Sequence, residues 1–296
     1  NGWIEGLTVA SIVLGTVFGG VLITPAVANV LMGFDFPFID TGIDSALEVS
    51  ILLVAIIYAI AALFNLYIPN TGVDHGGRRK NPFYLIHEFR HCVKLLWTDK
   101  LGQISLAVTT LFWGAGATLQ FIVLKWAEVA MNYPLNQAAQ LQGVVAVGIA
   151  MGAIMAARWV SLRQSVKVIP LGIAMGIVVM AMILVKDLWI AIALLMLIGG
   201  LAGFFVVPMN ALLQHRGHIL MGAGHSIAVQ NFNENLSILL MLSLYAALIL
   251  LDVHIYVVIV AFGLFVSVMM ALIRKWHLLN QSKEDSLHLI GENKKH

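Results

Sequence analysis

The chain has 296 residues, 60% hydrophobic and 11% charged, with a mean hydropathy of +0.92 and a formal net charge of +2. Soluble domains carry about a quarter of their residues as charged side chains, so this composition excludes a water-soluble globular protein and points to an all-α integral membrane protein. So small a net charge gives no reason to expect a nucleic-acid partner, and a single cysteine, Cys92, excludes an internal disulfide and any paired-cysteine metal site.

Eight apolar segments are long enough, at roughly 20 residues, to cross a hydrocarbon core about 30 Å thick as helices. They lie near 6–32, 46–66, 103–131, 138–157, 166–185, 188–214, 222–251 and 253–273. None has the short apolar core and cleavage site of a signal peptide. The first carries Gly15, Gly19 and Gly20, a small-residue face for tight helix packing.

A basic loop, 67–102, separates the second segment from the third and contains the string His87-Glu88-Phe89-Arg90-His91. H-E-x-x-H on a helix is the zinc-protease signature, with two ligands and a general base, but the site also needs a third ligand. The next acidic residues are Asp99, too near, and Glu128, at the other end of a span. From Pro82 to Trp97 the apolar side chains Leu85, Ile86, Phe89, Cys92, Val93, Leu96 and Trp97 gather on one side at helical spacing. His87, Arg90, His91 and Lys94 gather on the other. This predicts a helix on the inner membrane surface, its cations among anionic head groups, and not a metal site. A lipid acyltransferase would need H-x-x-x-x-D, and no histidine here has Asp five residues on. No enzyme, metal or cofactor is implied.

The third segment, "LFWGAGATLQFIVLKWAEVA", places Trp113 beside Gly114 and Gly116 near its middle and Gln120 beyond, as a head-group contact or as interhelical glue. Lys125 and Glu128 read as an interfacial i,i+3 pair with Trp126 as an interface aromatic. In the sixth segment Pro208 frees a backbone carbonyl and predicts a kink, with Asn210 and Gln214 placed to satisfy it. The seventh, "MGAGHSIAVQNFNENLSILLML", is the most polar: Ser226, Gln230, Asn233 and Ser237 recur on one face, with Asn231, Glu234 and Asn235 beside them. Counting from Gly222 at about 1.5 Å per residue, Glu234 sits roughly 18 Å in, near the membrane centre. Ser226 and Ser237 read as interhelical glue, whereas the density of Gln230, Asn231 and Glu234 favours a water-filled cavity or substrate path. The last residues, from His277, read as a mobile cytoplasmic tail.

Of the 17 Lys and Arg, only Lys125 and Lys186 fall outside the 67–102 loop, the turns holding Arg158, Arg163, Lys167 and Arg216, and the C-terminal tail. Asp35, Asp40, Asp44, Glu48, Glu128, Asp187 and Asp252 occupy the alternate loops. The positive-inside rule then places the basic loop and both ends of the chain in the cytoplasm.

Two helices, a basic loop and six further helices match the last eight of a twelve-helix transporter built from two six-helix halves. The pieces "LFWGAGATL", "LLMLIGGLAGFFVVPMNALLQHRG" and "GAGHSIAVQNFNENLSILLML" resemble the bacterial lysophospholipid transporters of the major facilitator superfamily. The opening "NGWIEGLTVASIVLGTVFGG" is similar to the family's fifth helix, and residues 15–20 form a degenerate G-P-x-x-G-G with Thr16 where Pro is usual. The likeness runs from Asn1 to about Trp276. It implies an incomplete superfamily fold: the last two helices of the N-terminal half in 1–68, a linker in 69–101, the six-helix C-terminal half in 102–276 and a tail in 277–296.

The resemblance also implies facilitated flipping of lysophosphatidylethanolamine and lysophosphatidylglycerol to the cytoplasmic leaflet of the bacterial inner membrane. There an acyltransferase and acyl-carrier-protein synthetase reacylates them. Trp113, Gln120, Asn210, Gln230, Asn231, Glu234 and Asn235 are the candidate substrate-binding residues. Some relatives carry Arg at the position of Gln120, and Lys125, more than a turn further out, would serve a phosphate only at the cavity mouth, so it is not counted among them. A proton-coupled exporter of amphipathic drugs, with Glu234 as the proton site, is the alternative within the superfamily.

Overall fold

The computed structural model describes residues 11, 15, 18–22, 24–32, 45–67, 82–283 and 290. Nine α-helices lie within these: α1 Pro25–Met32, α2 Ala46–Asn65, α3 Pro82–Thr98, α4 Gly102–Met131, α5 Leu135–Trp159, α6 Ile169–Met180, α7 Leu188–Met221, α8 Ala223–Leu250 and α9 Ile255–Lys283. Short 3-10 turns, Leu162–Val168 and Ala181–Leu184, extend α6 at both ends. Among the described residues seven helices are long and apolar enough to cross a membrane: Leu47–Asn65 and six in succession from Gly102 to Lys283. The protein is thus an all-α, multi-pass membrane protein. The expected span 6–32 is described only in part, and the acidic loop holding Asp35, Asp40 and Asp44, the loop ahead of Pro82 and, but for residue 290, the chain end beyond Lys283 lie outside the described residues.

Helices α4 to α9 alternate in direction around one apolar core, to which α8 adds only the partly buried Met241, Tyr245 and Leu248. The closest approach is α5 against α7. A Cβ added at Gly152 would run into the Gly200 carbonyl, and one at Gly203 into the Ile149 carbonyl. Gly148 and Gly199 face each other in the same way, so the two backbones touch where any side chain would hold them apart. Small residues allow this in a setting where lipid is as apolar as the partner helix. Gly176 and Gly263 repeat the device between α6 and α9, where Ser267 Oγ donates to the Ile173 carbonyl at 3.1 Å.

The α7–α8 turn depends on Gly222, at φ +83°, a left-handed conformation that other residues adopt at a cost. Gly217 packs directly on Ser226 across this turn. Helix α2 begins with a capping box, the Glu48 N–H donating to Ser45 Oγ at 3.3 Å and the Ser45 N–H to Glu48 Oε2 at 3.0 Å, and is exposed along most of its length.

Three expectations are revised. Helix α7 does not stop at 214 but runs to Met221, so Arg216 is a buried helical residue and not a loop cation. Helix α9 continues to Lys283, because Trp276 stacks on Trp97 of α3 at 6.3 Å and His277 is buried. The segment after 276 therefore begins as helix. Trp126 is no interface aromatic: it is fully buried, in register with Leu119, Ile122 and Val123 on the core stripe of α4, and its indole N–H donates to the Met182 carbonyl at 2.9 Å.

Helix α3 forms as the periodicity predicts, yet much of its apolar side packs on protein. Cys92 and Leu96 join Leu106, Leu213 and Val229 in a second small core, and Phe89 meets Phe232 edge to face at 5.3 Å. Leu85 and Ile86 stay exposed, as do His87, Arg90, His91 and Lys94 on the other side. Glu88, the would-be base of H-E-x-x-H, lies 3.5 Å from His225 Nε2 at the start of α8. Among the described residues no three of His, Cys, Asp and Glu stand close enough together to hold a metal. Burial, and then the charge of Glu88, push the Cys92 thiol above its usual range.

Candidate functional site

A cavity of about 270 Å³ opens between α4, α5 and α7, with single contributions from α6, α8 and α9. It follows α4 from Phe112 to Gln120 and α7 from Ile198 to Asn210, about 12 and 18 Å at 1.5 Å per residue. Its walls are mainly apolar, with Phe112, Leu119, Val145, Ile149, Ile198 and Phe262 among them. Phe112 is held by edge-to-face contacts with Trp113 and Phe205, both at 5.6 Å. Gly116 lines the cavity too, and a Cβ there would meet open space.

Trp113 lines this space, and its indole N–H is buried without a hydrogen-bond partner among the described residues. The indole therefore meets the cavity with its apolar ring and not with its N–H. Polar groups reach the space at two places. Gln120 and Gln142 stand together, the Gln142 side-chain amide donating to the Gln120 backbone carbonyl and so tying α5 to α4. Asn210 enters from α7 and leads to a buried network on α8. The Gln230 amide nitrogen spends one hydrogen on Asn210 Oδ1 at 2.8 Å and the other on Glu234 Oε1 at 2.9 Å. Gln230 and Glu234 are each only 7% exposed, so the one mid-span carboxyl group sits in a hydrogen-bonded pocket. A carboxyl group at that depth requires such partners.

Of the seven residues singled out in the sequence, Trp113, Gln120 and Asn210 line the cavity, and Gln230 and Glu234 join it through Asn210. Asn231 and Asn235 do not: they lie on another, exposed side of α8, where the Asn235 side-chain amide donates to the Asn231 backbone carbonyl at 2.7 Å. The helical repeat explains this, since 226, 230, 234 and 237 follow one stripe and 231 and 235 another. On the buried stripe Ser237 Oγ fills the space above Gly114, which is close packing of α8 on α4. Sequence reading missed Gln142, although three glutamines in "LNQAAQLQ" mark an unusually polar start to an apolar helix.

At the α3 end of the bundle Asp99 and Arg216 form a second polar feature that the sequence concealed. Asp99 Oδ1 accepts from Arg216 Nε at 3.1 Å and Oδ2 from Nη2 at 2.7 Å, while Oδ1 also accepts the Gly102 N–H at 2.7 Å. The same carboxylate therefore caps α4 and pairs with α7. Trp97 Nε1 donates to Asn233 Oδ1 at 3.3 Å, joining α3 to α8 beside it.

No protein-family model matches the chain. Individual proteins do: over 250 residues it is 40% identical to proteins named lysophospholipid transporter LplT from Yersinia pestis (strain Pestoides F), Yersinia pestis bv. Antiqua (strain Angola) and Yersinia pseudotuberculosis serotype O:3 (strain YPIII). The match takes in 84% of this chain and 57% of each relative. A multi-pass helical protein with a largely apolar cavity is thus similar, over most of its length, to proteins named lysophospholipid transporter LplT and spans somewhat more than half of their length.

Proposed function

We infer that this chain is the lipid-binding part of a lysophospholipid transporter that moves lysophosphatidylethanolamine and lysophosphatidylglycerol to the cytoplasmic leaflet of a bacterial inner membrane. The observation that carries the reading is the cavity, whose apolar walls, the Trp113 indole among them, run beside a few polar groups: the Gln120–Gln142 contact and Asn210. One acyl chain with a polar head needs that division of surfaces, and pockets of this make-up commonly take amphiphilic ligands. The relatives' printed name supports the substrate class.

On this reading the chain has the arrangement of a major facilitator, with 1–68 belonging to one half, 102–276 forming the other and 69–101 linking them. The basic end that bears α3 faces the cytoplasm. The two halves rock about the cavity, and Asn231 and Asn235 on the exposed stripe of α8 face the opposing half across the transport path. Trp113, Gln120, Asn210, Gln230 and Glu234 contact or orient the head group, and a cytoplasmic acyltransferase with acyl-carrier-protein synthetase activity consumes the product.

Binding of labelled lysophosphatidylethanolamine to the chain in lipid nanodiscs tests this, with wild type set against Trp113→Ala, Asn210→Ala and Glu234→Gln and with diacyl phosphatidylethanolamine as competitor. Saturable binding that the diacyl lipid does not displace, weakened by Trp113→Ala and Asn210→Ala, is the expected result. Absence of saturable binding would sink the function, and equal binding by all variants would remove the site.

A further inference from the structure

A second pocket, of about 400 Å³, lies at the end of the bundle away from α3, between the last turns of α4, the start of α5 and the side of α8. Its wall includes Phe121, Tyr133, Leu135 and Tyr245, with Lys125 and Glu128 at the edge. Lys125 Nζ and Glu128 Oε2 are 3.0 Å apart, with side chains 42% and 60% exposed. Trp126, between them in sequence, is locked in the core by its bond to the Met182 carbonyl, which fixes the rotation of this turn and holds the charged pair on the pocket side. The Tyr245 hydroxyl donates to the Phe121 carbonyl at 3.3 Å, so its ring is held as a wall.

Two further points bear on what the pocket takes. Lys125 is 23 residues beyond Gly102, about 34 Å along the helix, the depth at which a head group lies when Gly102 is at the other face. Gln120 borders the central cavity and Phe121 the outer pocket, so the two spaces lie at neighbouring faces of the same turn of α4.

We propose that this pocket receives the lysophospholipid head group before it enters the central cavity, and that the Lys125–Glu128 pair selects a zwitterionic phospho-ammonium head over a net-anionic one. The proposal rests on the lysophospholipid reading above. An exposed ion pair contributes little to stability, so it opens at small expense. A zwitterion then restores both contacts, its phosphate on the Lys125 ammonium and its ammonium on the Glu128 carboxylate, each a charge-assisted hydrogen bond. The tyrosine ring faces add attraction for the ammonium. A glycerol head restores only the first contact and brings its negative charge against Glu128 with nothing to neutralise it, which is discrimination by an unpaired charge.

The test is competition between unlabelled lysophosphatidylethanolamine and lysophosphatidylglycerol for the labelled lipid on the chain in neutral-lipid nanodiscs. Wild type is expected to prefer the ethanolamine lipid by up to about fivefold, the most that one exposed ionic contact gives. Glu128→Gln brings the ratio close to one by weakening the ethanolamine lipid, Lys125→Gln weakens both lipids, and the exchange Lys125→Glu with Glu128→Lys keeps a preference for the zwitterion. A wild-type ratio of one or below, a ratio unchanged in Glu128→Gln, or an exchanged variant that behaves as Lys125→Gln overturns the selectivity while leaving the transporter reading in place. If wild type binds neither lipid, that reading falls and the proposal with it.

Discussion

Asp99 and Arg216, 117 residues apart in sequence, meet in a two-pronged ion pair whose side chains are 9% and 2% exposed. The pair joins the first turn of α4 to the last turns of α7 where α3 folds over the bundle. Removing one partner of a buried pair strands the other charge and costs about 3–5 kcal/mol, whereas removing both together costs much less. Arg216→Met should therefore lower the thermal midpoint in detergent markedly. Asp99→Asn with Arg216→Met should recover part of that loss, because an asparagine oxygen still accepts the Gly102 N–H. A double variant no better than the single one would show that the pair is not a coupled unit.

Cys92 reports on whether α3 stays docked. Its thiol is buried beside Leu96 and Leu106, and desolvation followed by the nearby Glu88 carboxylate raises its pKa. The thiolate is the reactive form, so less of it is present at a given pH and reaction with maleimide should be slow near pH 7 and accelerate as pH rises. Labelling at least about tenfold slower than that of Lys94→Cys in a Cys92→Ala background, with the difference gone in denaturant, is expected. Equal rates in the folded protein would mean that α3 is detached in solution. Because the chain has one cysteine, the readout is a single site.

The α5–α7 crossing has no tolerance for volume. Gly152→Leu or Gly203→Val places atoms where the Gly200 and Ile149 carbonyls already lie, so the helices must separate and the yield of monodisperse protein should collapse. Gly116→Ala is the control, since its Cβ meets nothing within 4 Å and alanine is favoured over glycine within a helix by roughly 0.5–1 kcal/mol. Its thermal midpoint should hold or rise. Comparable yields from all three variants would refute the close approach.

Sequence reading went furthest where the signal is local. Long apolar runs gave the spans, and the helix from Pro82 was legible because its two faces differ over four turns. It failed where the decisive partner is distant. "LLQHRG" looks like the end of a span because Arg216 is costly in lipid, and the distant carboxylate of Asp99 is what the sequence does not show beside it. Trp126 was misplaced for the opposite reason: tryptophan is common at interfaces, but its register with Leu119, Ile122 and Val123 already marked the core face. On α8, composition gathered every polar residue into one candidate site, and the 3.6-residue repeat then divided them, Gln230 and Glu234 inward and Asn231 and Asn235 outward.

That division gives the sharpest test of the central site. Gln230 is the hub, because both hydrogens of one amide nitrogen are committed, to Asn210 on α7 and to Glu234 one turn along α8. Gln230→Leu removes both bonds at once, at a net cost of about 0.5–1.5 kcal/mol each. Substitutions at Asn210 and Glu234 should each destabilise on their own, and in the presence of Gln230 their effects should fall short of additive, since groups sharing a partner are coupled. Thermal unfolding of the single, double and triple variants measures that coupling. Asn231→Ala and Asn235→Ala, on the exposed stripe, should leave the midpoint within about 0.5 kcal/mol of wild type. Strict additivity of Asn210 and Glu234 substitutions in the presence of Gln230 would break the proposed link between the buried carboxyl group and the cavity, because Asn210 is where the network reaches the cavity wall.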